Sequence, residues 1–167
     1  MTDAAVRIRP ACKGDLDAIV QLFADDELHV PLSATPSAPA DRSVASGESI
    51  LQAGHLAAFE EMANDPNNSV YVAEVGGRVV GTFQLTFIRQ LSYGGCLVAQ
   101  VESVHVHSSQ RSVGVGKRML EWAIAAARER GALRVQLTSN VKRGRAHSFY
   151  ERLGFHATHK GMKLYLV

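Results

Sequence analysis

The sequence predicts an α/β fold, a mixed central sheet with helices on both faces, and three observations carry that expectation. Short alternating runs rich in β-branched and aromatic residues, such as Val70 to Glu74 and Arg78 to Ile88, interleave with segments of helical spacing. The longest helical segment, Gly116 to Arg130, sets Met119, Leu120, Ala123, Ile124 and Ala127 on one face and arginines and glutamates on the other. With 167 residues, 46% apolar and 20% charged, the chain is long enough to bury one core, so a single domain over 1–167 is expected.

From the N-terminus, Val6 to Arg9 alternates as a strand that Pro10 stops, because proline has no N–H for the ladder. Leu16, Ile19, Val20, Leu22 and Phe23 then recur at helical spacing, with Asp15 and Asp17 suited to the positive end of the helix. Leu28 to Gly47 dissolves into small residues and prolines (Pro31, Pro36, Pro39), which predicts a mobile loop and a candidate lid. Helical spacing returns over 48–64 and ends at Asn64-Asp65-Pro66. The next two strands flank Gly76-Gly77, a tight hairpin turn, and a third, Cys96 to Val106, follows the Tyr93-Gly94-Gly95 turn. After the long helix, closed by Gly131, the pattern gives a strand at Leu133 to Leu137, a short helix at Arg145 to Leu153 and a terminal strand at Lys163 to Val167.

Composition excludes several classes. No apolar run approaches the roughly 20 residues of a membrane helix, and Met1 to Pro10 lacks a signal-peptide pattern, so a cytoplasmic protein with no membrane partner is expected. Cys12 and Cys96 stand far apart in neither a disulfide framework nor a zinc spacing. His105 and His107 share one strand face, yet no third ligand is identifiable, so no metal is predicted. The formal charge of +2 hides an asymmetry. Residues 1–100 carry six basic and twelve acidic side chains, whereas 101–167 carry twelve basic and four acidic. A basic half suits nucleic acid or a small anionic cofactor, and the absence of a nucleic-acid module or of interleaved exposed aromatics favours the cofactor.

The stretch that carries chemistry is Val104 to Lys117, a strand feeding a glycine loop that opens a helix. Backbone N–H groups at a helix start lack intrahelical acceptors and converge on an anion, glycines let the chain come close, and Arg111 and Lys117 add charge. A surface turn with two cations is the plain alternative. Two other phosphate motifs fail: a P-loop needs Gly where Arg111 stands and Ser or Thr where Arg118 stands, and a dinucleotide fingerprint needs Gly at Met119.

The segment Gln110-Arg111-Ser112-Val113-Gly114-Val115-Gly116 resembles the acetyl-coenzyme A signature of the GCN5-related N-acetyltransferase (GNAT) superfamily. A second segment, Leu137-Thr138-Ser139-Asn140 with Ala146 to Phe155, resembles the family's C-terminal strand and helix. Thr138 to Arg143 with Ala146 to Tyr150 is locally similar to aminoalkylphosphonate acetyltransferases. The resemblance implies acetyl-CoA as cosubstrate, entering where two parallel strands splay near Val104 and Asn140. It further implies that Val104, His105 and Val106 pair with the pantetheine arm. The pyrophosphate would then lie on the N–H groups of Arg111, Ser112, Val113, Gly114, Val115, Gly116 and Lys117, with Asn140 reaching the arm and Tyr150 beside the sulfur. A homodimer is a further state the family allows.

Acetyl transfer to a small-molecule primary amine, by direct attack in a ternary complex, then needs a base, an oxyanion donor and an acid. Glu102 is the candidate base, since partial burial in the apolar strand Val101 to Val104 would raise its pKa; the alternative is a carboxylate facing solvent or an arginine. His105 or His147 is the other choice of base. The oxyanion donor is a backbone N–H near Val104 or His105, and the acid is Tyr150, unless that ring is merely packed. Other functions open at this point are a non-catalytic acyl-CoA-binding or sensing module and a protein N-acetyltransferase.

Overall fold

The computed structural model describes residues 5–25, 51–164 and 166. The expected loop over 28–47 lies outside the described residues. Five strands form one sheet in the order β1 (Arg7–Pro10), β2 (Asn68–Val75), β3 (Arg78–Arg89), β4 (Leu97–Val106) and β5 (Arg134–Leu137). The first four pair antiparallel and β4 with β5 parallel, which makes the sheet mixed. The β2–β3 hairpin closes through Gly76 and Gly77, both at positive φ as such a tight turn requires.

Helices α1 (Leu16–Ala24), α2 (Ala53–Ala63), α4 (Val115–Glu129) and α5 (Gly144–Arg152) surround the sheet, and a short turn, α3 (Ser92–Gly95), joins β3 to β4. Most of the α4 stripe read from the sequence is core: Met119, Leu120, Ala123 and Ala127, joined by Val115, are buried against Phe83, Leu85, Phe87, Leu97, Ala99 and Val101, whereas Ile124 is half-buried. Each large side chain buried there contributes about 1.5–3 kcal/mol. Trp122 extends the contact, its ring 4.5 Å from Tyr71. On the other face α1 buries Leu16, Ile19, Val20 and Leu22 over β3 and β4, and α2 lies against β2.

Arg9 locks the first strand in place. Its guanidinium donates to both Asp15 oxygens (2.7 and 2.9 Å) and to Glu74 (2.8 Å), so β1, the start of α1 and β2 share one ion cluster. Asp15 is only 7% exposed, and the Arg9 hydrogen bonds hold its carboxyl down to about 2.

The terminal strand expected at Lys163 to Val167 is a correction. Lys163, Leu164 and Leu166 belong to no strand, and Met162, Leu164 and Leu166 are exposed. Alternation alone forms no strand, because a ladder needs a neighbouring edge in register.

Candidate active site

Four features converge where β4 leaves β5. The parallel pairing runs only from Val98 opposite Arg134 to Val101 opposite Leu137. Beyond it β4 continues beside β3 to Val106, while the chain after β5 turns away toward α5. The two strands therefore splay, and among the described residues the β5-facing edge of residues 102–106 has no strand partner. This is the gap that the resemblance implies near Val104 and Asn140.

A bulge shapes that edge. Ser103 and Val104 together face the single Phe83, because the register passes from Thr82 opposite His105 to Gln84 opposite Glu102. Ser103 takes φ 50°, a left-handed conformation inside a strand that costs about 1 kcal/mol or more for a residue with a Cβ. Glu102 is exposed, which corrects the expectation of partial burial: β4 is buried through Val101 and turns outward at the bulge. Nothing in the local residues signals this bulge.

The glycine loop sits beside the open edge. His107 opens a helical turn at Ser108–Gln110, and Gly114 then takes φ 95° to start α4. The backbone N–H groups of Ser112, Val113, Gly114, Val115, Gly116 and Lys117 find no backbone acceptor among the described residues. They lie at the positive end of a fifteen-residue helix, an arrangement that receives an anion. A Cβ on Gly116 would lie 3.6 Å from the Phe149 ring and 3.7 Å from a Val106 methyl, so the loop, the end of β4 and α5 meet there.

Arg111 departs from its expected place. Its side chain turns away from the loop, donating to the Val106 carbonyl (3.0 Å) and the Asp25 carbonyl (2.9 Å), with the Asp25 carboxylate at 3.4 Å. Asp25 is a residue that sequence reasoning missed, since a lone aspartate behind a helix carries no signal. Its carboxylate also accepts the Ser108 N–H at 2.6 Å, a bond that lowers its pKa. Lys117 stays exposed, 3.7 Å from Glu121 one turn on.

Tyr150 stands on α5 with its ring between Phe149 (5.3 Å) and Phe155 (5.9 Å). Burial pushes its hydroxyl pKa above the ordinary value, with Arg143 opposing. Among the described residues the hydroxyl has no hydrogen-bond partner, and no fully buried side-chain polar atom is unsatisfied, so this oxygen is not sealed in the core. Asn140 accepts the Lys142 N–H on its Oδ1 (2.9 Å), which leaves its Nδ2 to donate elsewhere. His105 packs edge-on against Phe23 at 4.9 Å, and His147 is half-buried on α5. His107 points its Nδ1 at Ser109 (2.8 Å), and no group of three or more His, Cys, Asp or Glu among the described residues is placed to hold a metal. Cys12 and Cys96 are free thiols, and no helix among the described residues is long and apolar enough to cross a membrane.

The sequence is similar to several known proteins. An aminoalkylphosphonate N-acetyltransferase from Salmonella typhimurium is 33% identical over 95 residues, 57% of this chain and 61% of its own. A glucosamine 6-phosphate N-acetyltransferase from Trypanosoma brucei brucei is 34% identical over 95 residues, 57% of this chain and 63% of its own. The chain thus matches about three fifths of the length of these relatives. Among solved structures, a transcriptional regulator from Bacillus halodurans C-125 is 38% identical and superposes with a TM-score of 0.84, over 97% of this chain and all of that one. The family model described as "Acetyltransferase (GNAT) family" matches residues 37–155, which contain both the glycine loop and the Tyr150 helix, and the chain belongs to that family.

Proposed function

We propose that this protein transfers an acetyl group from acetyl-CoA to a primary amine of a small molecule. One observation carries the reading: among the described residues a β4 edge without a strand partner and a row of loop N–H groups without a backbone acceptor lie side by side, and α5, which carries Tyr150, meets them through Phe149 at Gly116 and Val106. These residues fit the cosubstrate group by group. The N–H groups from Ser112 to Lys117 suit a pyrophosphate, with the Arg111 side chain bracing the loop from behind. The open edge at Val104 to Val106 suits a peptide-like arm, and Asn140 Nδ2 supplies a further donor. When bound, acetyl-CoA supplies the thioester carbonyl that the amine attacks.

The residues then divide the work. Glu102, on the exposed side of the bulge, takes the proton of the incoming ammonium directly or through one water. A bulge N–H, at Val104 or His105, stabilises the charge that develops on the carbonyl oxygen. Tyr150, held protonated by its burial, gives its proton to the departing thiolate and is restored by the second proton that the nitrogen loses as the amide forms, carried through water. The two named relatives are, by name, enzymes of small amines, which supports a small-molecule acceptor. Family membership supports the transfer, in a chain expected to act in the cytoplasm.

The thermal midpoint of the protein, alone and with acetyl-CoA, CoA, ATP or NADPH at equal concentration, tests the reading. A ligand at about a hundredfold its Kd stabilises by about 2.7 kcal/mol, a shift of several degrees. Selective stabilisation by the two CoA species, followed by amine-dependent thiol release, is the expected result. No shift with either withdraws the assignment.

A further inference from the structure

The sheet face opposite α4 carries a feature that the splay does not explain. Asn68 on β2 stands opposite Thr86 on β3, Thr86 opposite Gln100 on β4, and Gln100 opposite Gln136 on β5. One uninterrupted row of uncharged polar side chains thus crosses four strands, where a sheet face under helices ordinarily presents apolar ones. Gln84 stands in the next row, directly opposite Glu102. Hydrogen bonds organise the set: Gln84 Nε2 (2.8 Å) and Thr86 Oγ1 (3.0 Å) both donate to Asn68 Oδ1, and Gln136 Nε2 donates to Gln100 Oε1 (2.8 Å).

All five side chains are half-buried, and the set leaves spare capacity. Gln84 Oε1, Asn68 Nδ2 and Gln100 Nε2 have no protein partner among the described residues, so the floor offers both acceptors and donors. Among the described residues of this sheet face charge is scarce. Arg134 stands at the far end with its guanidinium spent on Gln136 (3.1 Å) and Gln90 (3.2 Å), and Glu102 stands at the near end. Along β4 the step from Glu102 to Gln100 is about 7 Å, which one six-membered ring with its substituents spans.

We propose that this row seats the hydroxyl groups of the acceptor, so that the substrate is an amine bearing several hydroxyls, its nitrogen at Glu102 and its ring over Gln84, Thr86 and Gln100. The inference rests on the acetyl-transfer reading above and names the substrate class for that site. Hydroxyl groups both donate and accept, as this floor does. An apolar amine would strip water from the amides and leave them unpaired, a polyamine would find one carboxylate for several charges, and an anionic group would meet a guanidinium already engaged.

The test measures kcat/KM at saturating acetyl-CoA for glucosamine, cyclohexylamine, spermidine and 2-aminoethylphosphonate with the full chain. Glucosamine is expected to exceed cyclohexylamine at least about tenfold. Gln100→Leu and Gln84→Leu should each shrink that ratio severalfold with the KM for acetyl-CoA unchanged, and the near-isosteric Thr86→Val serves if either leucine variant fails to fold. A higher value for any of the other three amines, or a ratio that none of the variants moves, overturns the hydroxyl seat while acetyl transfer stands. Should no amine turn over, calorimetry of glucosamine on the CoA-loaded protein decides: binding weakened by Gln100→Leu supports the seat, and absence of binding overturns it. Failure of the unmodified protein to bind acetyl-CoA instead overturns the acetyl-transfer reading and this inference with it.

Discussion

The Asp25 carboxylate, at the end of α1, accepts the Ser108 N–H at 2.6 Å, and Arg111 donates to the Asp25 carbonyl from the loop that Ser108 opens. A residue 83 positions upstream thus fixes the segment that leads into the loop N–H groups proposed to receive the pyrophosphate. The same guanidinium holds the Val106 carbonyl, so α1, the end of β4 and the glycine loop form one braced unit. For the proposed pyrophosphate seat this is preorganisation, since the brace holds the loop in place without a ligand.

Loosening that brace should weaken cosubstrate binding without unfolding the protein. Asp25→Asn and Arg111→Ala are each expected to raise the Kd for acetyl-CoA by about threefold to tenfold. Because the two residues act through one contact, the double variant should lose less than the two single losses combined. Calorimetric titration measures all four proteins, and fully additive losses would show that the two residues act separately.

Tyr150→Phe and Glu102→Gln should each lower kcat by about ten- to a hundredfold and leave the Kd for acetyl-CoA in place. The pH dependence has a definite sign. Burial raises the Tyr150 pKa, so its proton is available below that value and is lost as pH rises through it. The wild-type alkaline limb should fall above the ordinary tyrosine range, and Tyr150→Phe should remove it. An unchanged profile in the variant takes Tyr150 out of the proton transfer.

The Arg9–Asp15 pair predicts acid sensitivity. The Asp15 carboxyl is held from 3.8 down to about 2, so its contribution is complete above the unfolded value and lost as pH falls through the folded one. The shift corresponds to about 2 kcal/mol. Thermal midpoints from pH 6 to 2 should fall more steeply below about pH 4 in the wild type than in Asp15→Asn, which starts less stable. Parallel curves would mean that other carboxylates govern the acid transition.

Gly81 is a packing position. A Cβ there would lie 2.8 Å from the Met119 sulfur and 3.1 Å from the His105 carbonyl oxygen, and the second atom is backbone that cannot swing aside. Gly81→Ala should therefore cost about 1–3 kcal/mol in denaturant unfolding. Gly54→Ala, in α2 with nothing within 4 Å, is the contrast and should leave stability equal or raise it by up to about 1 kcal/mol.

The elements themselves were written locally. Apolar spacing placed α1, α4 and the α4 core stripe, and β alternation placed β2 to β4, each within a few residues of its observed bounds, because side-chain periodicity follows directly from backbone geometry. Gly114 announced the loop because only glycine accepts its backbone angles at ease. The family resemblance marked Tyr150, but the reason its pKa is raised lies in Phe149, Phe155 and the packing of α5.

What the sequence by itself determined, then, was which segments are strands and helices and where an anion could meet a helix start. Tertiary structure alone decided the rest. The β4 bulge that exposes Glu102, the Asp25 brace that redirects Arg111, and the alignment of Asn68, Thr86, Gln100 and Gln136 into one row all depend on strand register and on contacts between distant residues. Lys163, Leu164 and Leu166 make the same point in reverse, since they lie in a stretch of strand-like alternation and belong to no strand. Local sequence sets the period of a strand, whereas its partner and register are set by the neighbours that fold against it.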